Sequence, residues 1–171
     1  AYGAIGARTP ALDTLAREGA RFDRAWATAP ITLPSHASLL SGRYPPGHGA
    51  RHNGKAMHAV PTLATAFKAA GFATAAFVSA FPLDARFGLT RGFDHYDDEL
   101  PSGIDGRPLN ERPGADTVAR ALAWLQAHQD ERFFLWVHLF EPHAPYGTPG
   151  SGGTARGSSA AVPLRPPGLR R

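Results

Sequence analysis

The segment Thr32-Leu33-Pro34-Ser35-His36-Ala37-Ser38-Leu39-Leu40-Ser41-Gly42-Arg43 decides how the rest of this chain is interpreted. Pro34 suits the first position of a helix, because proline has no amide hydrogen to leave unpaired there. Gly42 suits the position after the last turn, where a left-handed residue ends a helix. The segment therefore predicts a short helix whose amino end lies at Thr32, with unpaired amides and the positive end of the helix dipole beside it.

Two interpretations of Thr32 follow from this position. A hydroxyl held at an electropositive helix tip is a candidate nucleophile, or a contact for a sulfate or phosphate group. Alternatively, Thr32 serves only to cap the helix. On either interpretation, Leu39 and Leu40 are expected to anchor the helix in a hydrophobic core.

Composition narrows the class of protein. The chain has 171 residues, of which 43% are hydrophobic, and the ten Phe and three Trp favour a globular fold over disorder. The absence of cysteine excludes disulfides and thiolate metal sites. The net charge of +4 comes from residues 151–171, which contain four arginines and no acid, so the other residues balance at 14 basic and 14 acidic. We therefore expect no nucleic-acid partner, and no apolar run approaches the ~18 residues of a membrane span.

The order of elements predicts an α/β fold with a largely parallel sheet. Helices are expected from Pro10 to Gly19, from Pro61 or Thr62 to Gly71, and over residues 115–128. Strands are expected over residues 20–28, 72–78 and 133–140, the last apolar on both faces and therefore central in its sheet. Residues 147–171 are rich in Gly, Pro, Ser and Arg without apolar periodicity, so we predict a disordered tail after a folded part of residues 1–146.

The opening segment resembles the signature of the sulfatase family, within the alkaline phosphatase superfamily. Other stretches resemble family segments in the same order, namely residues 9–16, 44–49, 61–74 and 133–146. The resemblance implies an alkaline-phosphatase-like α/β sandwich that is incomplete in this chain. It also implies a hydrolase that acts on sulfate, phosphate or phosphonate esters of small molecules.

The same resemblance assigns roles to Thr32 and His36. The family's Cys or Ser is oxidised to formylglycine, but Thr32 stands at that position, and the methyl group on its Cβ prevents oxidation to an aldehyde. Thr32 is therefore predicted to attack directly and to contact a divalent cation (Ca, Mn or Zn), as in the phosphodiesterase and phosphonate-cleaving branches. His36 replaces the signature's arginine and is predicted to be catalytic, by holding the alkoxide or steering the ester; the alternative is a solvent-facing helix residue.

Asn53 and His143 are the predicted substrate-binding residues. Asn53 aligns with an asparagine that contacts the transferred group in phosphonate-cleaving relatives, although with Gly54 it also fits a simple turn. His143 matches the histidine of the family's Pro-His-x-Pro site and follows a predicted strand at its carboxyl end, where open α/β sheets place ligands. His138, inside that strand, is predicted to be a hydrogen-bonded core histidine. His48, His52 and His58 are predicted to be loop residues; the alternative, a zinc site built from them, has no supporting motif.

Most of the family's metal ligands are acids that the resemblance places outside this chain. We therefore expect the polypeptide by itself to be inactive and to be a fragment of a longer enzyme. The alternative is a remnant of the sulfatase fold that binds a partner or anion without catalysis.

Overall fold

A computed structural model describes residues 8–103, 106, 109–141 and 143. The predicted tail, residues 147–171, lies outside the described residues. Five helices and three strands are named here in chain order: α1 Pro10–Glu18, α2 Thr32–Ser41, α3 Pro45–His48, α4 Leu63–Ala69, β1 Ala73–Val78, β2 His95–Asp97, α5 Gly114–Ala127 and β3 Phe133–His138. None of the described helices is both long enough and apolar enough to cross a bilayer.

The sheet is parallel throughout, with the strand order β2-β1-β3. β1 is the central strand and is buried from Thr74 to Val78. Such a continuous apolar run is typical of a strand covered on both faces. The predicted α/β class with a parallel sheet is confirmed.

Helices cover both faces of β1 because its side chains alternate in direction. Val78 faces a core built on α2, which contributes Leu33, Ala37 and Leu40. Ala75 and Phe77 face the other way and pack with Ala121 of α5. The helix with the signature sequence is thus seated against one face of the sheet.

Strand assignments were the least accurate part of the sequence analysis. Residues 20–28 form no strand, and Phe22 and Trp26 are 70% and 82% exposed. A strand needs a hydrogen-bonded neighbour, and no described residue pairs with this segment. β3 was predicted to be central, but it lies at the edge of the described sheet, with Phe133 and Val137 exposed. β2 was not predicted, because three residues are too few to show periodicity.

The helices that were predicted are accurate in position but not in the face that is covered, and α3 was not predicted because its residues were expected to form a loop. α1 begins at Pro10 as expected, yet Leu12 and Leu15 on its apolar side are exposed. In α2, Leu40 is buried but Leu39 is 64% exposed, so only one of the two anchors the helix. Periodicity identifies an apolar side of a helix, whereas burial depends on what packs against it.

Candidate functional site

The amino end of α2 forms the centre of the candidate site. The helix begins at Thr32, with Ile31 as its extended N-cap residue, and ends at Gly42 in the left-handed conformation with φ of 65°. Pro34 therefore occupies the third helical position rather than the first, which corrects the prediction. Proline is tolerated there because the amides of the first turn have no partners within the helix.

Asn53 supplies the cap that the sequence analysis assigned to Thr32. Its Oδ1 accepts the N–H of Leu33 at 2.9 Å, and no hydrogen bond from an N-cap side chain is present. The interpretation of Thr32 as a mere cap is therefore wrong. The predicted turn at Asn53 is present, with Gly54 at φ of 89°. The turn thus carries Asn53 to the helix tip, where its amide group lies next to the residue after Thr32.

Thr32 presents a hydroxyl that the fold does not use. Its side chain is half-buried, and Oγ1 has no hydrogen-bond partner within the part of the chain that the structure describes. Because the Leu33 amide is bound by Asn53 and Pro34 has no amide hydrogen, few helix donors remain at the tip besides the amide of Thr32. The hydroxyl therefore lies where the helix dipole favours negative charge.

His36 is fixed one turn along the same helix. Its Nδ1 donates to the carbonyl oxygen of Thr32 at 2.8 Å, which leaves Nε2 without a hydrogen in the neutral ring. The ring is half-buried against Trp136, at 5.7 Å between ring centroids, so the alternative of a solvent-facing residue is wrong. Burial lowers the pKa of His36, although the bond to Thr32 opposes this. An arginine would carry a permanent charge here, whereas this imidazole is neutral at pH 7.

His138, the last residue of β3, meets His36 edge-to-face. The two ring centroids are 4.9 Å apart with an interplanar angle of 79°. His138 was predicted to be a hydrogen-bonded core residue, but its buried Nδ1 has no hydrogen-bond partner among the described residues. Burial, and then the proximity of His36, lower the pKa of His138 to about 4. The prediction is corrected: His138 faces the candidate site with an unused ring.

A buried polar network fixes the main chain of His138. Ser79, directly after β1, donates to the carbonyl oxygen of His138 at 2.8 Å, and its hydroxyl lies 2.7 Å from that of Thr117. Arg112 donates to Thr117 Oγ1 at 2.9 Å and to the carbonyl of Val78 at 3.0 Å. The carboxyl ends of β1 and β3 are therefore tied together beside the His36–His138 pair. The predicted strand ran on to residue 140, so no sequence signal indicated that His138 stands at the carboxyl end of β3, where open α/β sheets place ligands.

Two other histidines named in the sequence analysis, His143 and His48, differ in burial. His143 is exposed; its N–H donates to the carbonyl of Phe140 at 3.0 Å, and its ring lies 4.5 Å from that of Phe140. Its role in binding substrate stays a prediction. His48 was expected in a loop but is fully buried, with Nε2 at 2.9 Å from Ser38 Oγ and Nδ1 accepting from the Ala50 amide at 3.2 Å. His48 therefore has a structural role in joining α2 to α3.

The described residues do not form a metal centre. Among residues 8–103, 106, 109–141 and 143, no group of three or more His, Asp or Glu side chains could hold a metal ion. Thr32 offers one oxygen, which is far short of the coordination that Ca²⁺ or a tetrahedral zinc site needs. These side chains alone therefore do not fit a divalent cation.

Comparison with known proteins identifies the family. A family model described as Sulfatase matches residues 1–160. The chain belongs to the sulfatase family. This sulfatase-family chain is similar to the steryl-sulfatase of Mus musculus, with 35% identity over 136 residues that cover 68% of the chain and 21% of the relative. It is also similar to the Delta 4,5-hexuronate-2-O-sulfatase of Bacteroides thetaiotaomicron, with 28% identity over 152 residues, 84% of the chain and 31% of the relative.

Solved structures confirm the alkaline-phosphatase-like fold. A protein solved in complex with its substrate D-glucosamine-2-N,6-O-disulfate matches with a TM-score of 0.68 and 25% identity, covering 84% of this chain and 31% of that one. The phosphonate monoester hydrolase of Agrobacterium radiobacter matches with a TM-score of 0.67 and 22% identity, covering 87% and 39%. The chain thus spans between a fifth and two fifths of the length of these relatives.

Proposed function

We propose that this chain is the nucleophile-bearing part of a hydrolase that cleaves sulfate, phosphate or phosphonate esters, with Thr32 as the nucleophile. The observation that carries the proposal is the half-buried Thr32 hydroxyl, which has no hydrogen-bond partner in the described part of the chain and lies at the amino end of α2. Relatives named for sulfate ester cleavage and a structural neighbour that binds a sulfated sugar support the class of substrate.

The reaction requires two displacements at sulfur or phosphorus. In the first, Thr32 Oγ1 forms a bond to the central atom, the bond to the alcohol oxygen breaks, and the alcohol leaves with the proton that Thr32 gave up to His36. In the second, water attacks the same atom and releases Thr32 and inorganic sulfate, phosphate or a phosphonate. A threonine hydroxyl needs a base to attack, and His36 Nε2 is the nitrogen left to accept its proton, because Nδ1 is held by the Thr32 carbonyl.

Asn53 and His143 complete the proposal as substrate-binding residues. The Oδ1 of Asn53 is engaged by Leu33, so only its amide N–H groups are left to bind an ester oxygen. His143 follows the carboxyl end of β3, the side of a parallel sheet where ligands bind. A cation contact at Thr32 remains a prediction from the family resemblance, with other ligands supplied from beyond the described residues.

The test is hydrolysis by the purified protein, expressed with its native flanking sequence, of para-nitrophenyl sulfate, para-nitrophenyl phosphate and a phenylphosphonate ester. We expect Thr32→Val to lower kcat by about a thousandfold or more, because it keeps the shape and removes the nucleophile. Ser41→Ala is the matched control, since it removes a hydroxyl at the other end of α2 whose partners among the described residues are the Ala37 carbonyl and the Arg43 amide. Intact-mass measurement should show a covalent adduct on Thr32 in the wild type.

An unchanged rate for Thr32→Val would refute Thr32 as the nucleophile. If the wild type turned over none of the three esters but bound inorganic sulfate or phosphate, the non-catalytic alternative would replace the enzymatic one. The substitution of His36 for the signature's arginine is the feature that favours that alternative.

A further inference from the structure

We propose that His138 is a further oxyanion-binding residue of this site, and that its ring donates a hydrogen bond to the sulfate or phosphate group beside His36, which stands where the family signature provides an arginine. The proposal rests on the proposed function only in taking this site to bind a tetrahedral oxyanion. It adds His138, which was predicted to be a core residue.

The first argument is the unpaired nitrogen. Nδ1 of His138 is the buried side-chain atom without a hydrogen-bond partner in the described part of the chain. Nearly all buried polar atoms in folded proteins have partners, because an unpaired one forfeits its hydration without compensation. An apolar ring would fill the same space at lower cost. A ligand that hydrogen-bonds the ring would explain why a histidine stands at a position where it does not stabilise the fold.

The second argument is the way in which the two rings are held. The His138 main chain is fixed by the hydroxyl of Ser79, and its ring packs against His36 at 4.9 Å and Trp136 at 6.5 Å between centroids. His36 is fixed by its bond to the Thr32 carbonyl. Neither His36 Nε2 nor a ring nitrogen of His138 is committed to another described residue. Two fixed imidazoles therefore lie next to each other one turn along α2 from Thr32, and His138 has an N–H left to donate whereas His36 Nε2 can only accept.

The third argument is charge. Burial keeps the pKa of His138 low, at about 4, so at neutral pH its ring is neutral and carries one N–H donor. A sulfate or phosphate group offers several oxygen acceptors, and hydrogen bonds to a charged acceptor are stronger than those between neutral groups. A neutral donor near the amino end of α2, where the helix dipole favours anions, can hydrogen-bond such a group without a permanent cation.

The experiment compares oxyanion binding by His138 variants of the purified protein with native flanking sequence. Affinities for inorganic sulfate and inorganic phosphate are measured by isothermal titration calorimetry, and Tm is measured by circular dichroism. His138→Phe keeps an aromatic ring against His36 and Trp136 but removes both nitrogens. His95→Phe is the matched control, because His95 also lies on a strand and contacts an aromatic ring, Phe77, but faces away from the site.

We expect His138→Phe to weaken oxyanion binding about tenfold or more, with a Tm equal to or above that of the wild type, while His95→Phe leaves the affinity unchanged. In the wild type labelled with ¹⁵N-histidine, the ring nitrogen resonances of His138 should shift when inorganic phosphate is added, which tests the contact even if a variant fails to fold.

Equal affinity of His138→Phe and the wild type would overturn the proposal, as would a wild type that binds neither anion or a His138 resonance that phosphate does not move. Failure of the proposed function is a separate result. A wild type without ester turnover, whose oxyanion binding still depends on His138, would refute the hydrolase and leave His138 as an oxyanion-binding residue.

Discussion

Asn53 Oδ1 accepts the main-chain N–H of Leu33 at 2.9 Å, and this bond ties the loop after α3 to the amino end of α2. The residue predicted to bind substrate is thus also the residue that caps the nucleophile helix. The two roles use different atoms of one amide group, since the oxygen caps and the nitrogen is left for a ligand.

Substitutions of Asn53 should separate these roles. Asn53→Ala removes the cap, and we expect the free energy of unfolding to fall by about 1 kcal/mol. Asn53→Asp keeps an oxygen for the Leu33 amide and places a negative charge at the positive end of the helix, so stability should be equal or higher. The same aspartate would repel an anionic ester, and KM should rise. Urea unfolding and ester hydrolysis measure the two effects; an Asn53→Asp variant with unchanged KM would contradict the substrate contact.

The buried ion pair between Arg112 and Asp97 should dominate stability at the carboxyl end of the sheet. The side chains of Arg112 and Asp97 are only 3% and 9% exposed. Arg112 also donates hydrogen bonds to Thr117 and to the Val78 carbonyl. Arg112→Met leaves a buried carboxylate without its main partner, and we expect a loss of about 3–5 kcal/mol. Arg86→Met is the control, because the Arg86 side chain, which pairs with Asp84, is 64% exposed. Its removal should lower the free energy of unfolding by less than about 1 kcal/mol. Similar losses in urea unfolding for both variants would contradict this difference.

Mild acid should destabilise the fold through His138. The pKa of His138 is lowered from the ordinary value of 6.5 to about 4, so between these values the unfolded chain binds a proton that the native state does not. Stability is therefore expected to fall as pH decreases from 6.5 to 4, with no contribution from this residue above pH 7. In His138→Phe the slope over this window should be smaller, while His36 and His48, whose pKa values burial also lowers, still contribute in the same direction. Tm measured from pH 7.5 to 4 tests this, and identical slopes in the two proteins would refute it.

Gly92 and Gly54 provide a matched pair for backbone strain. Both have positive φ, of 90° and 89°, which side chains other than glycine adopt at a cost of about 1–2 kcal/mol. A Cβ at Gly54 would meet nothing within 4 Å, whereas at Gly92 it would lie 2.6 Å from the carbonyl carbon of Ala64 and closer still to the Thr65 amide. We expect Gly54→Ala to cost only the strain and Gly92→Ala to cost about 3 kcal/mol or more. Equal Tm losses would show that the approach of Gly92 to α4 is looser than described.

Local sequence signals predicted helix ends well and strand partners badly. Gly42 ends α2 in the left-handed conformation as predicted, and Thr62 opens α4 with a reciprocal capping box. These signals are local, because the residues that pair are a few positions apart. Residues 20–28 show the opposite case: the segment, with Phe22 and Trp26, was predicted to be a strand, but the neighbour that would pair with it is set by the whole fold.

The sequence by itself determined the family, the parallel α/β class and the presence of a threonine hydroxyl on a short helix, because motif spacing and apolar runs are properties of the chain. The tertiary structure alone decided that Asn53 caps this helix, that His48 is core, and that His138 meets His36 with an unpaired nitrogen. Those relationships join residues that are distant in sequence, and they depend on which strand ends and helix tips the packing of the sheet brings together.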